Sequence, residues 1–173
     1  MAAGSTYTPI ATYTIPSTTA SYTFSSIPQT YTDLVVVVVP ATTGNTYPYF
    51  RFNGDATNKY SDSQISGDGS STRGGKRTAQ SRGYIAEWVM TNTTPTSNIV
   101  THIMNYSNST TMKTYLARNN NTVSGTYVGT ELIAGLWAST AAINSITIGT
   151  ASGGVDSNLA AGTIVSIYGI ASA

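Results

Sequence analysis

The chain has 173 residues, no cysteine and only 9% charged residues. Its length predicts a single domain, and its net charge of +1 argues against a nucleic-acid partner, because there is no basic surplus to neutralise phosphates. The lack of cysteine excludes disulfides and thiolate metal sites. The most apolar run, Leu34–Val39, is far shorter than the ~20 residues of a membrane helix, so no membrane partner is expected.

Short runs of β-branched and aromatic residues, separated by Gly, Pro, Asn and Ser, predict an all-β chain folded as a sandwich or barrel. We assign residues 1–9 to an N-terminal arm and residues 10–173 to the single domain. In chain order the predicted strands are Ile10–Ile15, Ser21–Ile27, Asp33–Val39, Tyr49–Phe52, Tyr84–Asn92, Asn98–Tyr106, Thr111–Arg118, Thr126–Trp137, Ile143–Ile148 and Thr163–Ile170.

Two of these segments, Leu34–Val39 and Ile164–Ile170, carry apolar residues on both faces of the strand. Such strands are typical of the middle of a sheet that is covered on both sides. The predicted core includes large apolar side chains from these and other strands: Leu34, Val36, Val38, Trp137 and Ile146.

The segment from Gly54 to Gly83 is rich in glycine and poor in large apolar residues, with only Tyr60 and Ile65 as anchors. We predict one long glycine-rich loop here, and long loops in compact domains are often functional or mobile. The segment holds four of the eight basic residues of the chain: Arg73, Lys76, Arg77 and Arg82. We predict that these four contact a neighbouring subunit; the alternative is a solvated loop without a partner.

Residues that could perform catalysis are scarce in this sequence. His102 is the only histidine and no Gly-x-Ser-x-Gly turn accompanies it, so a packed or interface histidine is expected rather than a catalytic base. Glu87 and Glu131 lie in predicted strands and could face each other as the carboxyl pair of a glycosidase. The simpler interpretation is one solvated and one partnered carboxylate. The sequence therefore predicts no enzyme and no cofactor.

Two further interpretations concern ligands. Asn53, Asp55, Asp62 and Asp68 could chelate calcium, but they lack the spacing and the closing glutamate of an EF-hand, and the same residue types serve ordinary turns. The twelve tyrosines suit the core or a protein interface, with a carbohydrate platform as the alternative.

Several segments, taken together and in order, resemble segments of virion proteins of tailed bacteriophages. They are Ala20–Val36, Phe52–Asp55 with Tyr60–Ser61, Lys113–Arg118, Leu136–Ile148 and Gly162–Ile170. The resemblance extends from Ile10 to Ile170, nearly the whole chain. It implies a jelly-roll β-sandwich of about 8–10 strands, in which the Gly54–Gly83 segment is the one long loop. No catalytic residue carries over.

The resemblance also implies a function, which is that of a virion structural protein. We expect it to decorate or cement the capsid as a homotrimer, in contact with the major capsid protein or another virion subunit. The alternatives are a tail or head fibre knob that binds a host glycan and a small neck or tail accessory protein. Only about ten residues precede the first predicted strand, which is short for a fibre shaft. The expected location is the virion, after assembly in the host cytoplasm.

Overall fold

The computed structural model describes residues 6–42, 44–87, 97–123 and 127–171. Every regular element within these ranges is a β-strand, and none of these residues is helical. This part of the chain accordingly holds no helix that is long and apolar enough to cross a membrane. The abundance of Thr, Val, Ile and Tyr accounts for the preference, because branched and aromatic side chains pack well on a pleated, half-buried surface.

Thirteen strands are present in the described residues, against the predicted number of about 8–10. In chain order they are β1 (Tyr7–Thr14), β2 (Ser21–Phe24), β3 (Asp33–Val39), β4 (Tyr47–Phe52), β5 (Tyr60–Gly67), β6 (Thr72–Gln80), β7 (Gly83–Tyr84), β8 (Ile99–Met104), β9 (Lys113–Val123), β10 (Tyr127–Trp137), β11 (Ile146–Ser152), β12 (Val155–Ser157) and β13 (Ile164–Ile170).

The strands form two antiparallel sheets that enclose the core between them. The larger sheet has eight strands in the order β1-β13-β3-β8-β9-β10-β5-β6, and the smaller has the order β12-β11-β4-β7, with β2 also paired to β11. The core cluster draws on both sheets, for example Val36 of β3 and Phe50 of β4. The prediction of an all-β sandwich is confirmed.

The prediction of one long glycine-rich loop over Gly54–Gly83 is wrong, because most of this segment is the hairpin β5–β6. β5 pairs with β10, and β6 pairs with β5 to form an edge of the larger sheet. The hairpin turn is held by Asp68, whose Oδ1 accepts hydrogen bonds from the backbone N–H groups of Ser70 and Ser71. These strands bury polar groups and glycines more than apolar side chains, so hydrophobic alternation does not reveal them.

Three further differences concern strand limits. β1 begins at Tyr7, inside the predicted N-terminal arm, and pairs with β13. The predicted strand Tyr84–Asn92 is wrong in extent, since only Gly83–Tyr84 pair with β4, and residues 85–87 are buried or half-buried without strand pairing. Residues 88–92 of that prediction lie outside the described residues. The short strand β12 was not predicted.

The predicted core residues are confirmed, since Leu34, Val36, Val38, Trp137 and Ile146 are each at most 2% exposed. The same core contains an aromatic cluster, to which Trp137 belongs. Its ring centroids lie 5.6 to 6.3 Å apart in the contacting pairs. The members of this cluster are Phe52, Tyr60, Tyr115 and Trp137.

Tyrosine rings pack directly over glycines in this core. Tyr115 of β9 is the cross-strand partner of Gly135 of β10, and a Cβ added to Gly135 would lie only 1.9 Å from Tyr115 Cζ. The Tyr115 hydroxyl donates a hydrogen bond to the Tyr84 carbonyl at 3.0 Å, which fixes the ring in this position. Tyr49 lies over Gly149 in the same way. These tyrosines therefore serve the core, one of the two uses expected for them.

Candidate functional site

The structure places the four predicted interface residues in three different surroundings. Arg73 and Lys76 are exposed on the edge strand β6, where Arg73 lies opposite Ser66 and Lys76 lies opposite Ser63. Because strand residues alternate between faces, Arg73 and Lys76 point to opposite sides of the sheet. Arg77 lies on the inner side with Arg73, and Arg82 lies beyond the end of β6. The four side chains do not form one patch.

Arg77 joins the hairpin to the buried segment that follows β7. Its guanidinium donates to Asp62 Oδ1 at 2.8 Å and to Glu87 Oε1 at 3.3 Å, and it lies 4.4 Å above the Tyr84 ring centroid. Burial raises the pKa of Asp62 above its ordinary value, although the positive charge of Arg77 opposes this shift. Gln64 completes the cluster by donating to Glu87 Oε2. The guanidinium of Arg77 is thus bound by carboxylates of its own chain.

Arg82 and Arg51 contact the same two residues of the smaller sheet, Tyr49 of β4 and Asp156 of β12. Both guanidiniums bind the carboxylate of Asp156 and lie over the ring of Tyr49, at 4.8 and 4.9 Å from its centroid. Burial alone would raise the pKa of Asp156, but the hydrogen bonds and charges of the two arginines hold it below its ordinary value. Burial raises the pKa of Tyr49 to about 12. This arrangement ties β4 to β12.

Four large apolar side chains are exposed on the outer side of the larger sheet, away from the core. They come from four adjacent strands: Ile65 of β5 at 58% exposure, Leu132 of β10 and Leu116 of β9 at 46%, and Met104 of β8 at 37%. The outward direction follows from the pleat, because the alternate residues of β9 and β10 fill the core. We call these four residues and their neighbours the outer apolar face. Ile65 was expected to anchor a loop from within, and this expectation is wrong.

Two shallow grooves cross the outer apolar face, and both have basic residues in their lining, Arg118 in the first and Lys76 and Arg77 in the second. The first has a volume of about 610 Å³ and brings Arg118 between Val100 and Leu132, its two cross-strand partners. The second, of about 490 Å³, is lined by apolar side chains of β8, β9 and β10, by Lys76 and by the ion pair of Arg77 with Asp62. Neither Arg118 nor Lys76 forms an ion pair with a carboxylate of the described residues.

His102 lies on the same outer side, between β3 and β9. Its Nε2 is 2.9 Å from Asp33 Oδ2, and the other oxygen of Asp33 accepts the backbone N–H of Asn105 at 2.7 Å. No serine hydroxyl among the described residues hydrogen-bonds to His102. The His-Asp contact therefore ties β8 to β3, and it is not extended to the third member of a catalytic triad.

Glu131 lies on the inner side of the sheet and is only 3% exposed. Its Oε2 accepts the backbone N–H of Glu87 at 2.8 Å and the side-chain amide of Asn119 at 2.9 Å. Its Oε1 has no hydrogen-bond partner in the described part of the chain. Burial raises the pKa of Glu131 in spite of the two bonds. The structure does bring Glu87 and Glu131 together, but through the Glu87 backbone, which is a structural contact.

The four residues considered as calcium ligands each bind other groups of the chain. Asp55 accepts the indole N–H of Trp137 at 2.9 Å, Asp62 binds Arg77, and Asp68 forms the turn of the hairpin. Asn53 Oδ1 accepts backbone N–H groups before β11. Where the chain is described, no three His, Asp or Glu side chains are grouped so that they could hold a metal ion.

The outer apolar face and the buried polar groups behind it were not predicted. A sequence signal exists, since Leu116 and Leu132 alternate with residues that belong to the core, as in the strands that are apolar on both faces. The buried Lys113 gave no such signal. Its Nζ donates to the carbonyls of Thr111 at 2.6 Å and Thr140 at 3.1 Å, and burial lowers its pKa.

No protein-family model and no curated protein matches this chain. Among solved structures, the chain has a weak similarity to the crystal structure of a protein of unknown function from Shewanella oneidensis MR-1. The sequence identity is 9% and the TM-score is 0.21. The alignment covers 86% of this chain and 62% of the other, so the chain spans less than two thirds of that protein's length.

Proposed function

We propose that this protein is a structural component of a tailed-bacteriophage virion, and that it decorates or cements the capsid by docking through its outer apolar face. It acts in the assembled virion as a homotrimer and contacts the major capsid protein or another virion subunit. The observation that carries the proposal is the group of four large apolar side chains exposed on adjacent strands. Contiguous apolar surface of this kind marks protein interaction sites.

Two features of the sequence support this proposal. The resemblance of the ordered segments between Ile10 and Ile170 to virion proteins supports the phage assignment. The low content of charged residues also supports the assignment. Only 9% of the residues are charged, so closely packed subunits would repel each other little.

The contribution of the face can be worked out from its exposure. Leu116 and Leu132 are each 46% exposed, so docking removes about half of each side chain from water. Full burial of a leucine stabilises by roughly 1.5–3 kcal/mol. Burying the exposed half of both leucines therefore contributes about 2 kcal/mol to the free energy of binding. This corresponds to roughly a thirtyfold change in affinity.

The test is the binding of purified protein to particles that lack it. We expect the double variant Leu116→Ser/Leu132→Ser to bind about thirtyfold more weakly than wild type. Val155→Ser is the matched control, because Val155 is exposed on β12 of the other sheet. Thermal unfolding of each variant checks that the fold is retained. Equal binding by the double variant and wild type would refute the role of this face.

The number of copies per particle separates the alternatives. Quantitative mass spectrometry of intact virions should find hundreds of copies if the protein decorates the capsid, and a handful if it is a fibre knob or a neck accessory. Light scattering should give the mass of a trimer. A monomer both free and on the particle would remove the homotrimer from the proposal.

A further inference from the structure

We propose that the partner bound by the outer apolar face is an extended segment of a different protein, with apolar side chains flanked by carboxylates, and not a second copy of this chain. The location of the interface rests on the proposed function. The chemistry of the partner rests on separate observations, which are the charges on this face and their spacing.

The first observation is a contrast among the basic residues. Arg51, Lys59, Arg77 and Arg82 each form an ion pair with a carboxylate of the same chain. Arg118 and Lys76 form no such pair within the described residues, because their neighbours across the strands are apolar or carry a hydroxyl group. Each lines a different groove of the outer apolar face. The face therefore offers apolar contacts together with two positive charges that a partner can neutralise.

The second observation argues against a second copy bound through the same face. Asp62 and Glu131 are buried on the inner side of the sheet. Asp33, at the end of β3, is already engaged by His102 and by the backbone of Asn105. Two copies placed face to face would thus bring together positive charges with no free carboxylate between them. Like charges placed across an interface disfavour that pairing.

The sheet geometry gives the spacing of the carboxylates. β9, which carries Arg118, is three strand positions from β6, which carries Lys76. At ~4.8 Å per strand the two residues are about 14 Å apart across the sheet, and the register offsets them by two residues, about 7 Å, along the strands. An extended chain rises ~3.3 Å per residue, so residues i and i+4 of one strand face cover about 13 Å. A segment of the form Glu-x-Leu-x-Glu, lying obliquely across the strands, brings one carboxylate within side-chain reach of each cation and places an apolar side chain between them.

The test uses a ribosome-displayed library of random peptides, selected on the wild-type protein and sequenced. We expect enrichment of peptides with acidic residues four positions apart around an apolar residue. The same selection on Arg118→Gln/Lys76→Gln should lose this acidic preference, and the best wild-type peptide should bind that variant about tenfold more weakly, the effect expected for two exposed ion pairs. Arg73→Gln is the matched control, because it removes a charge from the other side of β6.

Three outcomes would overturn the inference: no enriched peptide, enrichment without acidic residues, or the same acidic preference on the double variant. A fourth outcome that would overturn the inference is measured by sedimentation velocity. It is a wild-type protein that forms a dimer while the double variant Leu116→Ser/Leu132→Ser is a monomer. If particle binding requires Leu116 and Leu132 but the peptides show no acidic preference, the inference fails and the proposed function stands. If the acidic preference is found but particles are not bound, the proposed function fails and the inference stands.

Discussion

Gly135 is the position where one added methyl group should damage the fold most directly. A Cβ at Gly135 would lie 1.9 Å from Tyr115 Cζ and 2.3 Å from its Cε1 and Oη. The ring cannot move aside easily, because it is buried against Phe52 and its hydroxyl is bonded to the Tyr84 carbonyl. We therefore expect Gly135→Ala to displace the ring and break this hydrogen bond.

The size of the effect follows from three contributions. Overpacking a core costs roughly 1–3 kcal/mol, and leaving a buried hydrogen-bonding group unsatisfied costs roughly 1–3 kcal/mol. Replacing glycine by alanine also lowers the conformational entropy of the unfolded chain, which stabilises the folded state by about 0.4–1 kcal/mol. The net expectation is a destabilisation of about 3 kcal/mol, out of the roughly 5–15 kcal/mol typical of a folded protein. For a chain of this length the melting temperature should fall by about 6–12 °C.

Equilibrium unfolding in urea, followed by tryptophan fluorescence and far-UV circular dichroism, measures this change. Gly74→Ala is the control, because the nearest atom to its added Cβ is the Gln64 carbonyl oxygen at 3.8 Å, an ordinary contact. It should change stability by no more than about 0.5 kcal/mol. In a Tyr115→Leu background, Gly135→Ala should cost clearly less, because the ring that it contacts is gone. Equal costs in both backgrounds, or a Gly135→Ala as mild as Gly74→Ala, would refute the reasoning.

Three further predictions concern buried groups. Burial raises the pKa of Glu131, so its contribution to stability is full below its ordinary pKa and is lost as the pH rises through the raised value. Glu131→Gln stays neutral and should therefore gain stability relative to wild type as the pH rises above about 4, the ordinary pKa of a glutamate, measured by urea unfolding; a difference independent of pH would contradict this. Asp55→Ala leaves the Trp137 indole N–H without its acceptor and should lower stability by about 2 kcal/mol, seen also in near-UV circular dichroism. Val36→Asp places a carboxylate at a fully buried position and should prevent folding, and a cooperative transition near the wild-type temperature would count against that.

The parts of the fold that follow from hydrophobic alternation were predictable from the sequence. The predicted strand Asp33–Val39 is β3 and lies inside the larger sheet, as predicted. Its two faces are not equally covered, since Val37 and Val39, which point away from the core, are only half-buried. β13 agrees with the predicted Thr163–Ile170 to within one residue. In both strands the residues that define the core are the residues that define the pattern, so a local rule is sufficient.

The hairpin β5–β6 shows where this rule stops. Its strands are held by backbone pairing with β10 and by buried polar contacts such as Arg77 with Asp62, which are fifteen residues apart. Nothing in the local sequence distinguishes such residues from those of a solvated loop. For the same reason the four basic residues of the segment looked equivalent, although Arg77 and Arg82 are engaged internally and Lys76 is on the outer apolar face.

The sequence by itself determined the all-β class and the identity of the core, because strand propensity and the period of two are properties of neighbouring residues. Only the tertiary structure decided which sheet face remains uncovered. Leu116 and Val36 are both apolar residues within strands of the larger sheet, yet one is exposed and the other is fully buried. The difference arises because the smaller sheet covers one side of the larger sheet, and this side is chosen by contacts between residues far apart in the chain.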